Sequence, residues 1–225
     1  FLPGALLIGA LIGLPVVLGC MFNPSAGVIF VLAMSYFLLG IKRLAPAVPM
    51  GLFTDVMIVV LAFGIFYRQI SEKDWSFAKG PISKMVIIYM IYVFMTIGNP
   101  QAGCKLCFVY TIRSMAGYMI FYFIISYTLK TKAQIKFIIK LWLALSTMAA
   151  FYAMKQEWFG LASFEDRWLR ADPERFWLLF QWGRIRKWSF MADPVTFGFN
   201  MGYTGVLAFV LSRGPFSKKT NIILI

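Results

Sequence analysis

The sequence predicts an all-α fold: a polytopic integral membrane helical bundle of about seven to eight spans. Three observations predict it. The 225 residues are 60% hydrophobic and only 14% charged, with a mean hydropathy of +0.76, whereas a soluble domain is nearer half apolar and a quarter charged. Apolar runs long enough to cross a bilayer follow one another along the chain. Several of the short segments between them are rich in Lys and Arg.

The formal net charge of +13 does not indicate a nucleic-acid partner. In membrane proteins Lys and Arg collect in short cytoplasmic loops and attract anionic lipid head groups. We therefore expect membrane lipid as a partner and no nucleic acid. Because the helices share one bilayer, we expect residues 1–225 to form a single transmembrane domain. The chain begins with Phe rather than Met and ends in an apolar run, so we expect it to be a fragment of a longer protein.

The predicted spans are apolar segments of roughly 13 to 21 residues, close to the length that a bilayer requires. In order they are Phe1–Met21, Ala26–Ile41, Gly51–Tyr67, Met85–Ile97, Ser114–Leu129, Phe137–Met154, Val195–Leu211 and a run that begins at Thr220.

Proline and charge mark the boundaries between these spans. Asn23-Pro24 separates the first two spans, and Lys42-Arg43 opens the loop after the second. The polar segment Arg68–Lys84 separates the third span from the fourth, which ends at Asn99-Pro100. Gly103–Arg113 is predicted to be a connector that leads to the fifth span.

The basic segments predict the orientation of the chain. Arg68–Lys84, Lys130–Lys140 and Arg213–Lys219 are separated from one another by two spans each, so they lie on the same side of the membrane. Their Lys and Arg content predicts that this side is the cytoplasm. Lys42-Arg43 then falls outside, which is a mild violation of the rule. The long loop of residues 155–194 also falls outside.

This long outer loop is predicted to be structured, with short helices near residues 163–170 and 173–182. Ser163-Phe-Glu-Asp166 resembles a capping box with Asp in place of Glu or Gln. Asp172-Pro173-Glu174 places an N-cap before a first-turn proline. Aromatic side chains in the loop favour the head-group level, so the loop is predicted to lie on the outer leaflet. They are Trp158, Phe159, Phe164, Trp168, Phe176, Trp177, Phe180 and Trp182.

A local excess of positive charge follows in this loop, at Arg184, Arg186 and Lys187. A guanidinium pairs with phosphate oxygens two at a time, and a lipid-linked phosphate or diphosphate presents such oxygens at this depth. The alternative is that these bases extend to head groups or pair with Asp193 and Glu174.

Two charged residues near span ends are weaker candidates. Asp55 lies near the outer end of the third span, where a carboxylate is costly and therefore a functional candidate by default. A structural partner such as Arg43 is the alternative explanation. Arg113, at the outer end of the fifth span, could reach a phosphate or extend to the membrane surface.

No metal site or cofactor is expected. The sequence has no histidine, which removes the commonest metal ligand and neutral-pH base. Cys104 and Cys107 have the spacing of a redox or metal pair, but no second pair or histidine accompanies them. We expect these cysteines to be small packing residues.

One motif combines these features. Arg186-x-x-Ser189-Phe190-x-x-Asp193-Pro194-x-x-x-Gly198 follows the long outer loop and opens an apolar helix. It resembles the signature of the O-antigen ligase and O-antigen polymerase superfamily, in which an Arg, a small residue, an aromatic and Asn-Pro or Asp-Pro lead into a transmembrane helix. The segment from Val48 to Asp55 also resembles the entry to an early helix in some members.

The resemblance implies a metal-independent glycosyltransferase of cell-surface polysaccharide and lipopolysaccharide biosynthesis. Such proteins move a glycan from an undecaprenyl diphosphate carrier to an acceptor sugar or protein hydroxyl at the periplasmic face of the bacterial inner membrane. It implies that Arg186, with Arg184, binds the diphosphate, and Lys187 and Arg113 remain the further candidates that their positions give. Ser189, Asp193, Pro194, Gly198 and Asp55 would support the site, with Asp193-Pro194 fixing the turn into the seventh span and Asp193 orienting Arg186.

The sequence departs from the ligases in one respect. They carry a functional histidine in a later outer loop, and this chain has none, so the base that activates the acceptor is unknown and the fragment is expected to be inactive by itself. A transporter or flippase of lipid-linked glycans is the alternative, and a sensor or scaffold is a third. A flippase would place charge inside a central cavity, whereas these spans are nearly free of charge.

Overall fold

The computed structural model describes residues 15–44, 50–99 and 105–214, and most of these are helical. Helix α1 covers residues 15–22. The remaining helices in chain order are α2 (Pro24–Leu44), α3 (Met50–Glu72), α4 (Pro81–Met95), α5 (Lys105–Thr128), α6 (Lys132–Trp158), α7 (Ser163–Arg170), α8 (Pro173–Leu179) and α9 (Pro194–Ser212). Strands β1 (Phe180–Gln181) and β2 (Arg184–Ile185) form a short antiparallel hairpin, and single 3-10 turns cover Ser76–Ala78 and Thr96–Gly98.

Within the described residues, five helical segments are long and apolar enough to cross a membrane. They are Pro24–Leu44, Gly51–Glu72, Pro81–Gly98, Lys132–Trp158 and Pro194–Ser212. This confirms an all-α membrane protein and matches the predicted second, third, fourth, sixth and seventh spans. Helix α5 covers the predicted fifth span but is not among the five. Most of the predicted first span, and the run from Thr220, lie outside the described residues.

Large apolar side chains face outward on these helices, as they do when lipid is the solvent. Phe63, Tyr67 and Ile88 are among the exposed residues of α3 and α4. A helix that is apolar on all faces is stable in a bilayer but not at a water-exposed surface. The outward-facing apolar surface is therefore independent support for the membrane assignment.

Several helix boundaries differ from the sequence prediction. Helix α3 continues to Glu72 and α4 begins at Pro81, so the connector between them is residues 73–80 and not Arg68–Lys84. Arg, Gln and Glu are good helix formers, and they carry α3 past the end of its apolar run. The predicted connector Gly103–Arg113 is wrong from Lys105 onward, because residues 105–113 contain no Gly or Pro and form the start of α5.

The described chain forms two compact units. The first comprises the described residues up to Leu32 together with those of Gly51–Ile135. Its helices pack closely at glycines: a Cβ on Gly64 would lie 2.6 Å from the backbone oxygen of Met21 in α1. Small residues that allow such backbone approach are typical of membrane helix contacts.

The second unit comprises the described residues of Ala33–Met50 and Lys136–Ile225. Hydrogen bonds between side chains connect α2, α6 and α9 at Ser146. The Ser146 Oγ lies 2.8 Å from the Tyr36 hydroxyl and 3.1 Å from Thr204 Oγ1. The Tyr36 hydroxyl also donates to Asn200 Oδ1 at 3.3 Å. Such polar contacts between helices are favourable where no water competes.

The long loop of residues 155–194 folds around its own hydrophobic core. Leu169, Leu179 and Trp188 are buried together. Leu161, Trp168, Phe176 and Ile185 pack against them. Of the eight loop aromatics that were expected at head-group level, Trp168 and Phe176 pack against this core, whereas four others are exposed, namely Trp158, Phe159, Trp177 and Trp182.

The predicted loop helices are present, with corrections at their ends. Helix α7 covers Ser163–Arg170 as expected, but its N-cap is Ala162 and not Ser163. Glu165, three residues after Ala162, accepts from the Ala162 backbone N–H at 2.9 Å, which is one half of a capping box. Asp172 caps α8 as expected.

Helix α8 ends at Leu179, so the prediction of helix to residue 182 was wrong. The chain reverses at Trp182 and Gly183, whose φ angles are 57° and 74°. A pair of residues with positive φ is the turn that suits a two-residue hairpin.

Candidate functional site

Ser189 is the centre of the motif segment that follows the hairpin. The residue is fully buried and has a φ of 54°. Its backbone N–H donates to Gln156 Oε1 at 2.9 Å, and its hydroxyl donates to the Ala149 carbonyl at 2.6 Å. The motif therefore has a small hydroxyl residue here because that residue fits against α6 and satisfies two polar groups of this helix.

The hydrogen bonds continue from Ser189 to a buried carboxylate. Gln156 Nε2 donates to Glu165 Oε1 at 2.7 Å, and Glu165 Oε2 accepts from Ala162 N. Gln156 and Glu165 are both almost completely buried. A buried carboxylate is tolerated when donors satisfy it, so this network fixes α7 against α6 and the motif segment.

Arg43 joins this network from the last turn of α2. Its guanidinium donates to the carbonyls of Ser189 at 3.1 Å, Ala192 at 3.2 Å and Met191. Its Cζ lies 4.8 Å from the ring centroid of Trp168, a distance at which a cation and an aromatic face attract. Arg43 is only 6% exposed. The guanidinium is thus held in place by the motif carbonyls.

From the sequence, Arg43 is expected at the start of a loop and as a possible partner for Asp55. One signal could have identified it: a cation at the end of an apolar span on the side where the rule disfavours positive charge. Such a cation needs a specific partner or a ligand.

A cleft of about 500 Å³ opens beside Arg43. Among the described residues that line it, Lys42, Arg43, Arg167 and Arg175 are cations and none is a carboxylate. Phe164, Trp168, Leu44 and Ala171 complete the lining. Arg175 stacks over the Trp168 ring at 4.2 Å, and its Nη2 donates to Asp172 Oδ2 at 3.2 Å. We call this feature the basic cleft.

The predicted cation cluster lies outside the basic cleft, since none of its members is a lining residue. Arg184 is exposed on β2. Arg186 Nη2 donates to the Leu178 carbonyl at 2.8 Å, and its buried Nε has no acceptor among the described residues. Lys187 Nζ is 3.6 Å from Glu157 Oε2. This Nε is enclosed by the surrounding chain, so an anion from outside could reach only the other nitrogens of the Arg186 guanidinium.

Asp193 is the N-cap of α9. Its carboxylate accepts from the backbone N–H of Thr196 at 2.9 Å and from the Thr196 hydroxyl at 2.8 Å, which caps α9 ahead of Pro194. Burial raises the pKa of Asp193, but these hydrogen bonds outweigh it and Arg186 adds to them, so the pKa lies below its usual value. The orienting role toward Arg186 is limited to this charge interaction, because no ion pair between them is present in the described part of the chain.

Asp55 and Arg113 pair with each other in the first unit, so the partner of Asp55 is Arg113 and not Arg43. The pair lines a second cleft of about 540 Å³ with Thr54 and Tyr118. Both charged side chains remain partly exposed.

The remaining motif positions are less informative. A Cβ placed on Gly198 would meet no atom within 4 Å of the described structure, so packing does not explain a glycine there. Val48 and Cys104 lie outside the described residues. Among the residues searched, no group of three or more His, Cys, Asp or Glu is arranged to hold a metal ion.

Comparison with known proteins returns no match: no family model, no curated protein and no solved structure is similar to this chain. The function is therefore argued from the motif and the geometry of the basic cleft.

Proposed function

We propose that the protein transfers a glycan from an undecaprenyl-diphosphate carrier to an acceptor hydroxyl at the periplasmic face of the bacterial inner membrane, as the resemblance to O-antigen ligases and polymerases implies. The observation that supports this proposal is the basic cleft, which joins the end of a candidate membrane span to the structured loop. Its lining carries four cations and no carboxylate among the described residues, so it attracts a polyanion.

The size of the cleft suits a lipid-linked diphosphate. Ligand sites usually enclose roughly 300 to 1,000 Å³, and a cleft of about 500 Å³ is large enough for a diphosphate and an adjoining sugar. Lys42 and Arg167 are exposed at its surface, where their donors can reach phosphate oxygens. The aromatic ring of Phe164, which lines the cleft, offers a contact to an apolar or sugar surface.

Transfer of a glycan from a diphosphate carrier favours cations that are already held in position. The leaving group is a diphosphate, and its negative charge grows as the glycosidic bond breaks. Charges already held in position stabilise such a group without reorganisation. Arg43 meets this requirement because backbone carbonyls and the Trp168 face hold its guanidinium. Arg186, the cation that the resemblance assigns to the diphosphate, does not line the basic cleft.

The base that would activate the acceptor hydroxyl is not assigned to any described residue. Glu165 is the buried carboxylate closest to the motif network, but both of its oxygens accept hydrogen bonds. We therefore give Glu165 a structural role.

The proposal is tested with the full-length gene in a deletion strain of its source. Surface glycan and lipid-linked precursor are compared for wild type, Arg167→Gln, Arg186→Lys and the control Arg170→Gln. Arg170 lies on the same helix as Arg167, pairs with Asp166 at 2.9 Å and does not line the basic cleft. We expect Arg167→Gln and Arg186→Lys to accumulate precursor on the outer leaflet, and Arg170→Gln to resemble wild type. Equal glycan levels in all variants would refute the proposal.

A flippase of lipid-linked glycans is the second candidate, and the Asp55–Arg113 pair favours it. A charged pair lining a cleft between α3 and α5 is a feature that a translocation path could use. The same strains separate the two functions: loss of a flippase leaves precursor on the inner leaflet, whereas loss of a transferase leaves it on the outer leaflet.

A further inference from the structure

Large apolar side chains are exposed on α8 of the loop and at the turn of the hairpin that follows it. Trp177 and Leu178, on α8, are 69% and 63% exposed, and Trp182, at the hairpin turn, is 99% exposed. We call these three residues the aromatic tip. We propose that the aromatic tip inserts into the lipid head-group layer of the leaflet on the loop's side, and so anchors the folded loop to the membrane surface.

Trp182 is exposed at a conformational cost. The hairpin pairs Phe180 with Ile185 and Gln181 with Arg184, and Trp182 occupies the turn with a φ of 57°. A bulky side chain is unfavourable at positive φ, where Asn or Gly is preferred. Because Trp182 is almost fully exposed, packing against the described residues does not compensate for this cost. A strained and exposed residue of this kind indicates a contact outside the fold.

The loop is tethered close to the membrane at both ends. Trp188 lies in the loop core, and six residues further on α9, a candidate span, begins at Pro194. Six residues reach at most about 20 Å. On the other side, Leu161 packs against the same core three residues after α6 ends at Trp158. The loop core therefore stays within a short distance of the span ends.

The chemistry of the tip matches lipid head groups. Tryptophan prefers the membrane interface because its ring is apolar and its N–H is polar. Arg184 is exposed on the neighbouring strand, and Arg186 bonds the carbonyl of Leu178. Guanidinium groups beside exposed indoles complement the phosphates of anionic lipids.

The test uses the full chain, with one copy in each nanodisc of phosphatidylethanolamine and phosphatidylglycerol. Trp182→Asn removes the indole and leaves an Asn-Gly turn, which favours the same hairpin, so the variant keeps its fold. The tryptophan fluorescence spectrum of wild type minus that of Trp182→Asn gives a difference spectrum for Trp182. We expect this difference spectrum to be blue-shifted relative to tryptophan in water. We also expect most of it to be quenched by brominated lipids and little of it by acrylamide.

A second variant controls for the possibility that Trp182→Asn changes the hairpin. Trp177→Gln, on α8, gives an independent difference spectrum for the same tip, and the same blue shift and quenching are expected. If both spectra show water-exposed indoles that acrylamide quenches and brominated lipids do not, the tip is not a membrane anchor. It would then be free for a protein partner or a second copy of the chain. None of these readouts depends on glycan transfer.

Discussion

Ser189 shows how one small residue can hold a site together. It contacts α6 through its hydroxyl and its N–H, and it contacts Arg43 through its carbonyl. The sequence motif identified the position but not the reason for it. The contacts of Gln156 and Glu165 were not identified, because the residues next to each in sequence give no indication of which distant residue it will meet.

Replacement of Ser189 tests this role. Ser189→Val adds volume at a fully buried position, places a β-branched residue at positive φ and removes the bond to Ala149. We expect a loss of about 2–4 kcal/mol in the free energy of unfolding. Ser189→Ala, which removes only the hydroxyl, should cost about 1 kcal/mol. Thermal unfolding in detergent measures both, with exposed Ser163→Ala as the control. A stable Ser189→Val variant would contradict the account.

At the scale of elements, helix caps were predictable and tertiary contacts were not. Asp172 was predicted as a cap because capping depends on residues within one turn, and Asp193, expected only to fix a turn with Pro194, caps α9 in the same way. The end of α8 was missed because it depends on the turn at Trp182, a residue that rarely adopts positive φ.

The cap at Asp193 has a pH dependence. The pKa of Asp193 is lowered in the folded protein, so its contribution to stability is present above the unfolded pKa and is lost as the pH falls through the folded pKa. Asn also caps helices but does not titrate. We expect Asp193→Ala to cost about 1 kcal/mol at neutral pH and Asp193→Asn to cost only a few tenths. When the free energy of unfolding is measured from pH 7 down to acid pH, wild type should lose the contribution of the Asp193 cap, whereas Asp193→Asn should show no such loss.

Replacing each of two glycines in the first unit by alanine should change the stability of the protein in opposite directions. At Gly64 an added Cβ would lie 2.6 Å from the backbone oxygen of Met21, whereas at Gly117 it would meet nothing within 4 Å among the described atoms. Gly64→Ala should destabilise by about 1–3 kcal/mol. Gly117→Ala should stabilise by up to about 1 kcal/mol, because alanine is the better helix former. The contact between α1 and α3 is disproved if both variants gain stability.

At the scale of the whole molecule, hydropathy predicted the fold class and the spans but not the contacts between residues that are distant in sequence. The all-α membrane class and the approximate positions of five spans followed from the apolar runs. The basic cleft did not, because it combines Lys42 and Arg43 at the end of α2 with Arg167 and Arg175 from the loop. No local pattern links residues so far apart. The run Arg184–Lys187 was visible because its members are adjacent in sequence.

The predicted orientation is tested by labelling. Ser76 and Ser163 are both exposed and are separated by three predicted spans, so they should lie on opposite sides of the membrane. With the native cysteines replaced, Ser163→Cys should react with an impermeant maleimide in cells whose outer membrane is permeabilised. Ser76→Cys should react only after the inner membrane is opened. The reverse pattern would place the loop in the cytoplasm.

The most direct test of the central claim is the affinity of the purified protein in nanodiscs for undecaprenyl diphosphate, with undecaprenol as the uncharged comparison. A charge-assisted hydrogen bond contributes about 1.5–3 kcal/mol, or roughly ten- to a hundredfold in affinity. Arg167→Gln should weaken diphosphate binding by about that factor, while Arg170→Gln and undecaprenol binding stay unchanged. If Arg167→Gln and Arg170→Gln bind the diphosphate equally well, the basic cleft is not its site.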